Sequence, residues 1–247
     1  MLRCISSLGC PDYSLAATLA LAAKHGIGAV ELRSLGGSVD LPAYFAENFG
    51  TPEKLAATVR ASGVRVVGFN ASLHLTGATD AERTQLLALA PWADAAGVRC
   101  APLVRHSFGS LIALEVAATA PDRVSQLVLV GTAFPMKVSP ALLDASLNQP
   151  QQAIDMVNQF SHSTLAPPPS SLGPGTWLYG GSRALMRRVL ASNRQHNVFH
   201  TGFRACDDYK AGETHMQIVQ CATLFIVGRH DQMTPPKLAA LTRKQVP

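Results

Sequence analysis

Short apolar runs alternate with helix-forming stretches along this chain, and that alternation limits its fold more than any other feature. An apolar run covers Leu2 to Ile5, and a helix is expected from Ser14 to about His25, with Ser14 as N-cap and Gly26 at its end. The next strand runs from Ile27 to Leu32. A loop holding Gly36, Gly37 and Pro42 then leads to a helix over Thr51 to Ser62, where Thr51-Pro52-Glu53-Lys54 reads as a capping box with Pro52 in the first helical position. Strand Val64 to Phe69, helix Asp80 to Ala96 with Gly97 behind it, and a further strand near Val98 continue the series. Repeated βα units place their strands parallel and lay helices against the sheet.

From Pro102 to Leu114 an apolar strand, a sharp turn at His106-Ser107-Phe108-Gly109 and an apolar helix follow without a break. A serine on so tight a turn needs small neighbours two residues away on each side, because the strand and helix backbones nearly touch there. Gly109 meets that need, whereas Arg105 is bulky. Ser107 can also be read as an ordinary helix N-cap. Beyond Ala120-Pro121-Asp122-Arg123 lie a strand over Gln126 to Val130 and a long, mostly helical segment, Phe134 to Ile218, interrupted at Pro167-Pro168-Pro169. Then comes the apolar run Cys221 to Val227, ending in Gly228-Arg229-His230-Asp231-Gln232-Met233-Thr234-Pro235.

In that order, the elbow, the strand, the helical insertion and the acid-bearing strand end resemble an internal stretch of an α/β-hydrolase. The resemblance implies Ser107 as nucleophile, Asp231 as the acid of a triad and the backbone N–H of Phe108 as one oxyanion donor. It also implies a partial hydrolase core over residues 101–133 and 219–247, with a helical cap over 134–218. In this family the base is a histidine after the acid. None occurs from Gln232 to Pro247, so the chain reads as truncated and impaired. Of the eight histidines, His106 is expected to point away from the serine and His230 away from Asp231, and His200 and His215 lie in or after the cap.

The first hundred residues resemble the opening of a sugar-phosphate isomerase/epimerase of the xylose-isomerase-like TIM-barrel type. That resemblance rests on Ile5-Ser6-Ser7-Leu8-Gly9-Cys10-Pro11, on Gly28-Ala29-Val30-Glu31-Leu32-Arg33 and on Pro91-Trp92-Ala93-Asp94-Ala95-Ala96-Gly97-Val98. It implies TIM-barrel-like βα units over residues 1–100. Glu31 and His74 are possible rim ligands, although the later strands that carry most of that family's metal ligands have no counterpart here. The expected fold class is therefore α/β, a hybrid of partial barrel and partial hydrolase with a helical cap. Its strands could share one mostly parallel sheet with one poorly covered face.

Composition narrows the partners. Hydrophobic residues make up 47% and charged ones 15%, below the roughly 25% usual in soluble domains. The net charge of +5 is dispersed, its tightest groups being Arg187–Arg188 and Arg243–Lys244, so no nucleic-acid partner is expected. No apolar run is long enough to span a membrane. The five cysteines fall into no metal-ligand spacing, Cys100 and Cys221 read as small hydrophobes in strands, and a cytoplasmic location is expected. The combined reading is a serine hydrolase of small esters, amides or thioesters, with no cofactor and no metal. The alternatives are an isomerase-like barrel fragment and a non-catalytic chimeric product.

Overall fold

The computed structural model describes residues 3–71, 79–162, 177–193 and 195–243. It divides into two compact units, Met1–Arg99 and Cys100–Pro247. His74 and Pro167-Pro168-Pro169 lie outside the described residues.

In the first unit, β1 (Cys4–Ser6), β2 (Ala29–Leu32) and β3 (Arg65–Phe69) pair in parallel in the order β1-β2-β3. The helices are α1 (Leu15–Lys24), α2 (Leu41–Phe49), α3 (Pro52–Ser62) and α4 (Asp80–Ala95). The start of α1 is fixed as the sequence suggests, with the Ser14 hydroxyl accepting from the Ala17 N–H at 3.2 Å. The stretch read as a loop around Pro42 is instead α2. Asp40 caps it by accepting from the Ala43 N–H, and Pro42 falls in the first turn, where its missing N–H costs no intrahelical bond. The capping box expected at Thr51 does not form, since Thr51 makes no side-chain bond to the helix backbone. The box sits one helix later. Thr79 accepts from the Glu82 N–H, and Glu82 accepts from the Thr79 N–H at 2.8 Å. Leu15, Leu19, Leu32, Leu41, Phe45 and Leu55 close the core completely, and Trp92 packs on Phe45 with ring centroids 5.4 Å apart.

The second unit has its own parallel sheet, β4 (Ala101–His106), β5 (Val124–Val130) and β6 (Ala222–Ile226), in the order β4-β5-β6. Among the described residues, two three-stranded sheets thus stand in place of the single shared sheet expected from the repeating pattern. The strand anticipated near Val98 is β4, which pairs only within the second unit. Helix α5 (Phe108–Thr119) covers one face of this sheet. Leu127 and Leu129 are fully buried there beneath Leu114 and Ala117, and Met216 of α10 (Gly212–Ile218) joins the same cluster. Between β5 and α10 lie α6 (Pro140–Asn148), α7 (Pro150–Phe160), α8 (Leu178–Ser192) and α9 (Val198–Asp208). Arg183 and Asp155 form a two-pronged ion pair joining α8 to α7. Asn197, at the head of α9, donates to the Ser146 carbonyl of α6 at 2.8 Å. Helix α11 (Pro236–Arg243) follows β6.

The strand register defines what the other face of the second sheet carries. Val104 aligns with Val128 and Leu224, and His106 with Val130 and Ile226. Paired residues of a parallel sheet point to the same side, so this face is largely aliphatic. It is poorly covered: Val104 is 54%, Leu224 56% and Ile226 47% exposed. Cys100, expected as a buried hydrophobe, is also exposed, and the buried cysteine is Cys206. Among the described residues no helix is long and apolar enough to cross a membrane.

Candidate active site

Strand β4 and helix α5 are joined by one residue, Ser107. Its backbone sits at φ 51° and ψ −125°, making it the one non-glycine residue with positive φ among those described. Such a conformation costs on the order of 1–3 kcal/mol and persists only where the surroundings hold it. The Ser107 N–H donates to the Val130 carbonyl of β5 at 2.9 Å. The Ser110 N–H donates to the Ser107 carbonyl at 2.8 Å, and the buried Ser110 hydroxyl also binds that carbonyl while pairing with the Thr132 hydroxyl at 2.7 Å. An ordinary N-cap serine has extended φ/ψ and a hydroxyl that binds the helix backbone. Ser107 has neither, and its side chain makes no cap hydrogen bond.

Arg105 does not obstruct this turn. Its Cβ and Cδ lie 3.6 Å from where a side chain on Gly109 would begin, an ordinary packing distance, and its guanidinium folds back to the Val104 carbonyl. Phe108, the first residue of α5, has an N–H without an intrahelical acceptor, as first-turn amides do.

Asp231 lies on the loop after β6. One carboxylate oxygen accepts from the N–H groups of Met233 and Thr234, at 2.9 and 2.8 Å. The other accepts from the Thr234 hydroxyl at 2.9 Å. The Asp231 side chain is thus held by its own turn, as aspartates in such turns are.

A cavity of about 680 Å³ brings these groups together. Ser107 and Asp231 both line it, with Phe160 of α7, Phe203 of α9 and Met233 as apolar wall. His106 and His230 line it as well. The His106 ring lies against Gly131: a Cβ there would stand 3.1 Å from His106 Nε2, a tight approach, and the φ of 53° would strain any larger residue. His200 is held by Ser146 at 2.8 Å, His215 stands beside Glu115 and Tyr209, and neither lines this cavity. The Ser110–Thr132 clamp and the Thr234 hydroxyl are supports that sequence reading missed. Only the spacing of Thr234 after Asp231, typical of an aspartate turn, could have signalled one of them.

In the first unit Glu31 is half-buried at the end region of β2. Among the described residues no group of three or more His, Cys, Asp or Glu is arranged to hold a metal ion.

The family model for the alpha/beta hydrolase fold matches residues 98–247. A 2-hydroxymuconate semialdehyde hydrolase of Pseudomonas putida is 27% identical over 168 residues, covering 62% of this chain and 53% of that protein. The chain therefore spans about half the length of the curated relative it matches. Among solved structures, a thermophilic esterase has 24% identity and a TM-score of 0.49, covering 66% of this chain and 58% of its own. A hydrolase of Pseudomonas aeruginosa gives 24% identity and a TM-score of 0.48 over the same shares.

Proposed function

The chain belongs to the α/β-hydrolase fold family, and from that premise we propose that its second unit is a serine hydrolase of small esters, amides or thioesters. Ser107 is the nucleophile, Asp231 the acid and the Phe108 N–H one oxyanion donor. The carrying observation is the strained Ser107, whose hydroxyl makes no cap bond and which opens on the same cavity as Asp231. In the reaction the Ser107 oxygen adds to the substrate carbonyl while its proton passes to a base. The carbonyl oxygen takes the negative charge and the alcohol, amine or thiol leaves. Water then hydrolyses the acyl-serine by the same steps.

The base is not assigned among these residues. Residues 232–247 contain no histidine, and neither cavity imidazole is hydrogen-bonded to Ser107. Among the described residues, His106 and His230 are the imidazoles that line the Ser107 cavity. Loss of a triad member in a serine protease still leaves on the order of 10³–10⁴-fold catalysis over water. Slow turnover of activated esters is accordingly expected from this 247-residue chain. Hydrolysis of p-nitrophenyl butyrate at a low rate that disappears in Ser107→Ala supports the assignment. An equal rate in that variant removes it.

The first unit we read as part of a βα array of the isomerase/epimerase-barrel kind, joined to a hydrolase-like second unit. The sequential parallel order β1-β2-β3 supports this reading, and the family match begins beside the boundary between the units. Five free cysteines favour a reducing compartment such as the cytoplasm.

A further inference from the structure

Helix α5 buries Leu111, Leu114 and Ala117 against its sheet, but its sequence is apolar around the remaining face too. Phe108, Ile112 and Val116 recur every fourth residue and form one stripe, with Ile112 50% exposed. The stripe is about 12 Å long at the helical rise of 1.5 Å per residue. It forms one wall of a second cavity of about 550 Å³, which shares no lining residue with the Ser107 cavity. The end of α9 and the turn after it, Ala205 to Ala211, make the opposite wall. An apolar cleft of this size with a few fixed polar groups has the usual make-up of a small-molecule site.

The fixed polar group is Glu115. Its Oε2 accepts from the Tyr209 hydroxyl at 3.0 Å and stands 3.0 Å from His215 Nδ1. Burial, and then the Glu115 carboxylate, push the Tyr209 hydroxyl well above the ordinary tyrosine range, so it remains a donor at any physiological pH. Glu115 is also one of the residues that line this cavity. The other charges at the rim are held differently. Asp208 is paired with Arg204 at 2.9 Å, and Lys210 is an exposed side chain whose flexible stem keeps its ammonium in water.

We propose that this groove binds an apolar chain or ring carrying a single ammonium group, with Glu115 as its counter-ion. The stripe on α5 takes the apolar part, and the positioned carboxylate selects the sign of the head group. An anionic amphiphile would meet Glu115 at the same place and be repelled.

Calorimetric titration of the whole chain with octylammonium, octanol and octanoate tests this. Octylammonium should bind about tenfold more tightly than octanol, the factor that a charge-assisted hydrogen bond supplies. Octanoate should bind most weakly. Glu115→Gln keeps an oxygen for Tyr209 but should bring octylammonium down to the level of octanol. Ile112→Gln, at an exposed position, should weaken octylammonium and octanol alike, and Lys210→Gln should weaken neither. Failure of octylammonium to saturate overturns the proposal. So does octanoate binding as tightly as octylammonium, or unchanged octylammonium binding in a folded Glu115→Gln variant.

Discussion

The two units solve the same problem with different success. Each is a three-stranded parallel sheet with helices, and each has one face closed by fully buried leucines. Their opposite faces differ. In the first unit the pairs Cys4–Ala29–Arg65 and Ser6–Glu31 put small or polar side chains there, and Cys4, Ser6 and Arg65 are exposed while Ala29 is buried. In the second unit the corresponding positions are Val104, Val128, Val130, Leu224 and Ile226. Parallel sheets normally bury both faces, and an aliphatic face in water forgoes roughly 25 cal/mol for each Å² left uncovered. The unit that holds the proposed nucleophile is therefore the one with less packing behind its sheet.

The sharpest test of this contrast is a pair of truncations in the two closed cores. Phe45→Ala should cost about 3–5 kcal/mol and Leu127→Ala about 2–5 kcal/mol in urea unfolding. Fluorescence of the buried Trp92 should report the first loss, and far-ultraviolet circular dichroism the second. If Leu127→Ala shifts the Trp92 transition as far as Phe45→Ala does, the units unfold together and the contrast between them fails.

Next in size is the clamp beneath the elbow. Ser110→Ala deletes the hydroxyl bound to the Ser107 carbonyl and leaves Thr132 without that partner, at about 1–3 kcal/mol. It should also slow acylation of Ser107, read by the rate of ester hydrolysis. A variant that loses stability at full rate would separate the clamp from the site.

A smaller effect is expected on the uncovered face. Leu224→Ala should change stability by less than about 1 kcal/mol, because the side chain already lies largely in water. A loss equal to that of Leu127→Ala would mean that this face is covered in solution. The smallest effect is electrostatic. The Val138 N–H, and then Lys137, hold the Asp207 carboxyl below its ordinary range. A depressed value means that the contribution is full above about pH 4 and lost as the pH falls through the folded value. Asp207→Asn should therefore remove part of the acid sensitivity below that pH in a denaturation series.

Sequence reading reached the parts of this molecule that are local. The turn at Ser107 and the aspartate loop at Asp231 are each set by a few neighbouring residues, so their spacing reveals them. The end of α1 at Gly26 is legible for the same reason. Helix α2 was hidden because Pro42 reads as a breaker, although in the first turn, behind the Asp40 cap, proline is favourable. Thr51 and Thr79 both begin a helix, but only Thr79 has a glutamate three residues on to complete the box. The division into two sheets was not legible. Apolar strands carry no label for their partners, and pairing is decided by side chains that meet across long separations. The bond between Ser110 and Thr132 depends in the same way on where distant strands end.

The account rests most heavily on Ser107 being a formed and reactive nucleophile. Fluorophosphonate treatment of the purified chain, read by intact mass beside Ser107→Ala, tests that directly. The prediction is a slow, single adduct on the parent chain and none on the variant. A folded chain that stays unmodified, or a variant labelled equally well, would contradict it.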